Sequence, residues 1–181
     1  MAAQLDVSTL NLQDALDMAL LIEKEAEERY RVFAETIGER YPGDAAAFFK
    51  MMSGNEHKHC VQLTEKRRSL FGDAPSRITA AMMGSDIEAP EFDKAVRFMT
   101  PHRALEVALA SEIKAYEFYD RILANAQNIL APEVQNLIRE LRDEETEHQR
   151  LLNEMKAQYP KTEDTDYDPN IDGLSSYHEI S

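Results

Sequence analysis

The chain repeats itself at an offset of 89 residues. "DALDMALLIEKEAEERY" at 14–30 lies on "RALEVALASEIKAYEFY" at 103–119 with eight of 17 positions identical. The same shift carries Glu56 to Glu145 and His59 to His148. One offset serving two separated stretches implies two related units, each made of two segments. The fold is thereby restricted to arrangements with approximate twofold symmetry.

The segments themselves read as helices. Four stretches show apolar residues at alternating steps of four and three. The first starts after Asn11, with Asp14 placed for a capping box, and runs to about Gly38. The second runs from near Asp44 to just before Phe71–Gly72. The third opens with Thr100 as cap and Pro101 at the first helical position. The fourth runs from Pro132 to Tyr159, stopped by Pro160. Each is roughly 25–28 residues, or about 40 Å long. Six glycines and no tryptophan agree with an all-helical chain.

The connections set the topology. "YPGD" and the residues around Ala131 are too short for anything but antiparallel neighbours. The crossover over 71–99 can extend roughly 95 Å, enough to return along a helix of about 40 Å. Helices two and three then run parallel in a four-helix bundle of two antiparallel hairpins joined by one long crossover. A short helix is expected within the crossover, in "EFDKAVRFM". The bundle domain spans 1–159. Residues 160–181 lose all periodicity, carry six acids against one lysine, and read as an acidic C-terminal tail.

Along each helix the apolar stripe is broken near its middle. The first runs Leu12, Leu16, Ala19, Glu23, Ala26, Tyr30, Phe33, Ile37. The second runs Ala45, Phe49, Met52, Glu56, His59, Leu63, Lys66, Leu70. The third runs Leu105, Ala108, Glu112, Ala115, Tyr119, Ile122, Ala126. The fourth runs Val134, Ile138, Leu141, Glu145, His148, Leu152, Met155, Tyr159. A lone Glu-x-x-His usually belongs to a solvated face. Four acid-bearing positions on four apolar stripes, related by one offset, do not.

Unpaired buried carboxylates cost several kcal/mol each and repel one another. No Lys or Arg lies mid-stripe to neutralise them, whereas two divalent ions balance four glutamates formally. Residues i and i+3 share a helix face, so Glu-x-x-His aims oxygen and nitrogen at one cavity. Two such pairs plus a Glu from each remaining helix match the ligand arrangement of di-iron and di-manganese carboxylate bundles. The count of six comes from that match: Glu23, Glu56, His59, Glu112, Glu145 and His148. Glu56 and Glu145 are placed to bridge, with Glu23 and Glu112 terminal. Oxygen and imidazole without thiolate suit two iron ions, with manganese as the other choice. Tyr30 and Tyr119 serve either as core residues or as hydrogen-bond partners of ligand carboxylates. His57, His102 and His178 read as solvated, and Cys60 as packing.

The formal net charge of −14 argues against nucleic acid and anionic membrane as partners, since both need basic patches. A single cysteine excludes a disulfide framework and a thiolate metal tetrad. No signal peptide or membrane span is expected, which makes the cytoplasm the expected location.

These residues resemble the ferritin-like superfamily, and within it the rubrerythrin type. The resemblance rests on "EKEAEERY", "NEHKHC", "ASEIKAYEFY" and "EETEH", and covers about residues 11–159. It implies a non-haem di-iron centre that reacts with peroxide or dioxygen, in a homodimer or larger assembly. Two departures stand out. Ala115 occupies the position where rubrerythrins typically carry a further glutamate, three residues after the third-helix ligand. The Cys-x-x-Cys pairs of a rubredoxin domain are absent, so turnover requires an external electron donor. The expected activity is a ferroxidase or peroxidase, with catalytic roles for Glu23, Glu56, Glu112 and Glu145. Iron storage or handling, and manganese catalase or oxygenase chemistry, are the alternatives. "IDGLSS" in the tail offers apolar residues for docking a protein partner.

Overall fold

A computed structural model of the chain describes residues 6–83, 87–91, 99–126, 129–159 and 161. Four long helices dominate it: α1 (Leu12–Ile37), α2 (Ala45–Phe71), α4 (Pro101–Ala126) and α5 (Pro132–Gln158). Two short elements were not foreseen, a 3-10 turn at Val7–Thr9 and the one-turn helix α3 (Ala80–Met83). Most of the helix expected in "EFDKAVRFM" lies outside the described residues, as does the tail apart from Lys161.

The helix ends follow from local chemistry. Asn11 and Asp14 form the reciprocal capping box, each side chain accepting the other's backbone N–H. Asp44 caps α2 by accepting from Ala47 N–H, and Thr100 caps α4 by accepting from Arg103 N–H. α1 stops at Gly38 and α2 at Gly72, whose φ values of 71° and 58° a residue with a Cβ adopts only at a cost.

Two hydrophobic blocks, rather than one, hold the bundle. The first gathers Leu16 and Ala19 of α1, Leu63 of α2, Tyr119 and Ile122 of α4, and Val134 and Ile138 of α5. The second gathers Phe33 and Ile37 of α1, Ala45 and Phe49 of α2, Leu105 of α4, and Leu152 of α5. The start of α1 thus meets the end of α2, the end of α4 and the start of α5, so α2 and α4 run parallel. The crossover makes this possible: Ile78 packs in the first block and Met99 in the second. Phe49 anchors the second block, with ring centroids 5.3 Å from Phe33 and 5.9 Å from Tyr30.

The stripes hold with two corrections. Leu70 is exposed, because the last turns of α2 leave the bundle interior, and Lys66 beside it reaches Glu140 at 3.1 Å. Tyr159 likewise lies at the surface.

Candidate metal centre

Between the two blocks the core turns polar. Glu23 from α1, Glu56 from α2, Glu112 from α4 and Glu145 from α5 are all buried, and none exposes more than 2% of its surface. Their convergence is what the shared stripe position dictates. One ligand atom each from Glu23, Glu56 and His59 lies within 4.8 Å of the others, and the same holds for Glu112, Glu145 and His148. The structure therefore brings all six expected residues into two clusters of two glutamates and one histidine.

The imidazoles face these carboxylates through Nδ1. His59 Nδ1 stands 3.3 Å from Glu56 and 3.4 Å from Glu23. His148 Nδ1 stands 3.0 Å from Glu112 and 3.6 Å from Glu145. The two rings stack on each other at 4.9 Å, only 2° from parallel, so they mark where one cluster meets its counterpart.

The electrostatics are those of a site holding too much negative charge. Burial pushes Glu23 up to about 7, against the partial relief of the His59 contact. Burial likewise raises Glu145 well above the usual carboxylate range, and Glu112 adds to the rise. The carboxylates of Glu23 and then Glu56, set close beside the ring, push His59 up to about 10. Burial works against a charged His148, yet Glu112 and Glu145 outweigh it and push the ring up to about 11. Protons here stand in for missing positive charge.

The donor geometry fits a metal pair. Eight of the nine buried side-chain polar atoms without a hydrogen-bond partner among the described residues belong to this layer; the exception is Asp17 Oδ2. Each of Glu23, Glu56, Glu112 and Glu145 has one such oxygen, and in Glu23, Glu56 and Glu145 it is the one set beside an imidazole Nδ1 at 3.4, 3.3 and 3.6 Å without an aligned hydrogen bond. A polar atom is seldom buried unsatisfied, so oxygens orphaned together point to a cation. The all-oxygen-and-imidazole set is compatible with a di-iron site.

Tyr30 and Tyr119 are fully buried against the layer, but neither hydroxyl forms a hydrogen bond to a ligand carboxylate. Burial holds both phenols well above their usual range, with nearby glutamates adding to it. His57 is exposed beside Glu27, as a solvated residue should be. His102 departs from that expectation, because Tyr159 O and Glu106 hold it against the α4–α5 end. Cys60 is buried, and burial pushes its thiol up to about 12, which leaves it unreactive.

One group escaped the stripe analysis. Glu88, on the crossover, is 1% exposed and enters the centre between the two clusters. Burial raises its carboxyl well above the usual range, followed by the charges of Glu23, Glu145, Glu56 and Glu112. Nothing periodic marks it, and only a buried acid next to Ala89 and Pro90 could have hinted at it.

Two openings flank the histidines in the groove between α2 and α5. A cavity of about 240 Å³ is lined by Met51, Met52, Glu56, His148 and Leu151. A smaller one of about 110 Å³ is lined by His59, Lys66, Glu140 and Glu144.

An all-helical bundle with buried glutamates and half-buried histidines at the middle of its long helices defines a ferritin-like protein. Within that class the chain belongs to the rubrerythrin family, whose model matches residues 14–91 and 103–174. It is similar to an uncharacterised conserved protein from Magnetospirillum magnetotacticum MS-1, with 26% identity and a TM-score of 0.63. That match covers 85% of this chain and 99% of the other. A hypothetical protein from Pyrococcus furiosus shares the fold at 20% identity and a TM-score of 0.54, covering 87% of this chain and 99% of that one. No curated protein matches. Among the described residues, no helix is long and apolar enough to cross a membrane.

Proposed function

We propose that this protein is a di-iron oxidoreductase that binds Fe(II) and oxidises it with hydrogen peroxide or dioxygen, as a ferroxidase or peroxidase. The observation that carries this reading is the set of four orphaned glutamate oxygens facing two stacked histidines inside an otherwise apolar bundle. Glu23, Glu56 and His59 would hold one ion, and Glu112, Glu145 and His148 the other. When bound, two irons supply one electron each, matching the two-electron reduction of peroxide, which takes up two protons and leaves as two waters.

The chain's own groups set the conditions for that reaction. His59 and His148 hold protons at Nδ1 while the site is empty, and these leave when a cation takes the imidazole lone pair. Glu23, with its carboxyl near 7, is able to hold or release a proton at neutral pH. Tyr30, Tyr119 and the two apolar blocks keep bulk water from the layer. The methionine-lined cavity suits a small neutral oxidant. Electrons for further turnover come from an external donor, and a homodimer or larger assembly is the expected form.

The test is stopped-flow absorbance of metal-free protein loaded anaerobically with two Fe(II) per chain. Rapid ferric formation with peroxide supports the peroxidase. Rapid reaction with dioxygen that continues under excess Fe(II) supports the ferroxidase and iron handling. Silence with both oxidants, or full activity in Glu56→Ala, overturns the proposal.

A further inference from the structure

The carboxylate of Glu88 has no evident structural role. It is fully enclosed, and among the described residues neither of its oxygens has a hydrogen-bond partner and no cation is paired with it. Leaving a buried acceptor unsatisfied is costly, and leaving both oxygens of one carboxylate so is rare in a stable fold.

Its position is not accidental either. One oxygen of Glu88 lies within 4.8 Å of ligand atoms of Glu23 and Glu145, and Glu88 also groups in this way with Glu56 and Glu112. The 89-residue shift carries Glu23 to Glu112 and Glu56 to Glu145, so it exchanges these two groups. Glu88 belongs to both, as a residue near the pseudo-twofold axis between the two clusters would.

The surrounding chain is fastened where it delivers this side chain. Lys114 of α4 donates to Ala89 O at 3.0 Å, and Arg29 of α1 donates to Pro90 O. The backbone on the C-terminal side of Glu88 is thereby tied to both hairpins. Ile87, on the other side, packs against the first apolar block.

We propose that Glu88 is a seventh ligand of the metal centre and its fifth carboxylate, supplied by the crossover within reach of both metal positions, so that metal loading and seating of the crossover are coupled. The inference rests on the dinuclear reading of the six helical residues but goes beyond it. A ligand so placed can serve either ion or both, and it is the one ligand not held by a long helix. Metal uptake therefore tightens residues 87–91 against α1 and α4, and loss of metal releases them.

The experiment compares the wild-type chain with Glu88→Gln, using Co(II) as the probe under anaerobic conditions. Isothermal titration gives stoichiometry and affinity, and hydrogen exchange follows the peptide containing residues 87–91. Wild type is expected to bind two Co(II) and to slow exchange in that peptide on loading. Glu88→Gln, which keeps shape but removes charge, is expected to bind at least one Co(II) about tenfold or more weakly and to lose the loading-dependent protection. Should Glu88→Gln bind two Co(II) with wild-type affinity and retain the protection, Glu88 is only a buried acid and the inference falls. Failure of the wild type itself to bind two Co(II) overturns the dinuclear reading, a distinct result. Melting of the metal-free variant at or above the wild-type temperature shows that it folds.

Discussion

Glu145→Gln separates what the centre costs from what it does. In the metal-free fold the Glu145 carboxyl is driven well above its ordinary 4.5, chiefly by burial. Where the folded pKa of an acid lies above its unfolded value, the native state binds more protons, and stability falls as pH rises past 4.5. A buried carboxylate oxygen left without a hydrogen-bond partner costs on the order of 1–3 kcal/mol. His148 offsets part of this, though at 3.6 Å its contact with Glu145 is longer than the 3.0 Å contact it keeps with Glu112. The expected gain for the metal-free variant is about 1–3 kcal/mol, or roughly 2–12 °C in Tm for a chain of this length. With metal at a hundredfold excess over Kd, wild type gains about 3 kcal/mol per site and the variant much less. The order of stability should therefore invert on loading. The assay is thermal unfolding by circular dichroism, with and without Mn(II), at several pH values. The metal-free advantage should vanish near pH 4 and grow toward pH 7. A metal-free variant that melts below wild type at pH 7 would refute the argument that this carboxylate is buried for the metal's sake.

Two further expectations follow from particular contacts. Tyr119→Phe removes a buried hydroxyl that has no partner, so metal-free Tm should not fall, and a loss above about 1 kcal/mol would show a bond formed in solution. Arg77 grips Asp14 through both oxygens, at 2.7 and 2.6 Å. Burial works to raise the Asp14 carboxyl, yet Arg77 and the Asn11 N–H outweigh it and hold it below its ordinary value. Its stabilisation is present above pH 3.8 and lost as pH falls through the lowered pKa. Arg77→Met should thus lower Tm at pH 7 and lower it less as the pH falls below 3.8, as followed by thermal unfolding.

The sequence was most informative where geometry repeats. Glu23, Glu56, Glu112 and Glu145 sit on apolar stripes with fixed spacing, and the offset of 89 identifies each by its counterpart. Helix ends were equally legible at Asn11, Asp44 and Thr100, because capping is a local reaction between a side chain and the next turn. Glu88 was hidden for the complementary reason: a residue near a symmetry axis has no counterpart, and a crossover has no period to reveal its buried side. Leu70 kept the stripe on paper but not in the fold, since spacing says nothing about where a helix outruns its neighbours. His102 was misread because the carbonyl that holds it, Tyr159 O, lies 57 residues away in the chain.

The division of the core into two apolar blocks has a consequence for how long the protein survives in a cell. Each block alone is small, and the charged layer between them adds cohesion only when cations join the four helices. Ligand binding to the folded state multiplies its population relative to the unfolded one. On the proposed reading, scarcity of the metal makes the middle of the bundle its weakest plane, and more of the chain would visit open states that proteases cut. Metal supply would then govern abundance as well as the proposed activity, with surplus copies cleared through the same acidic layer.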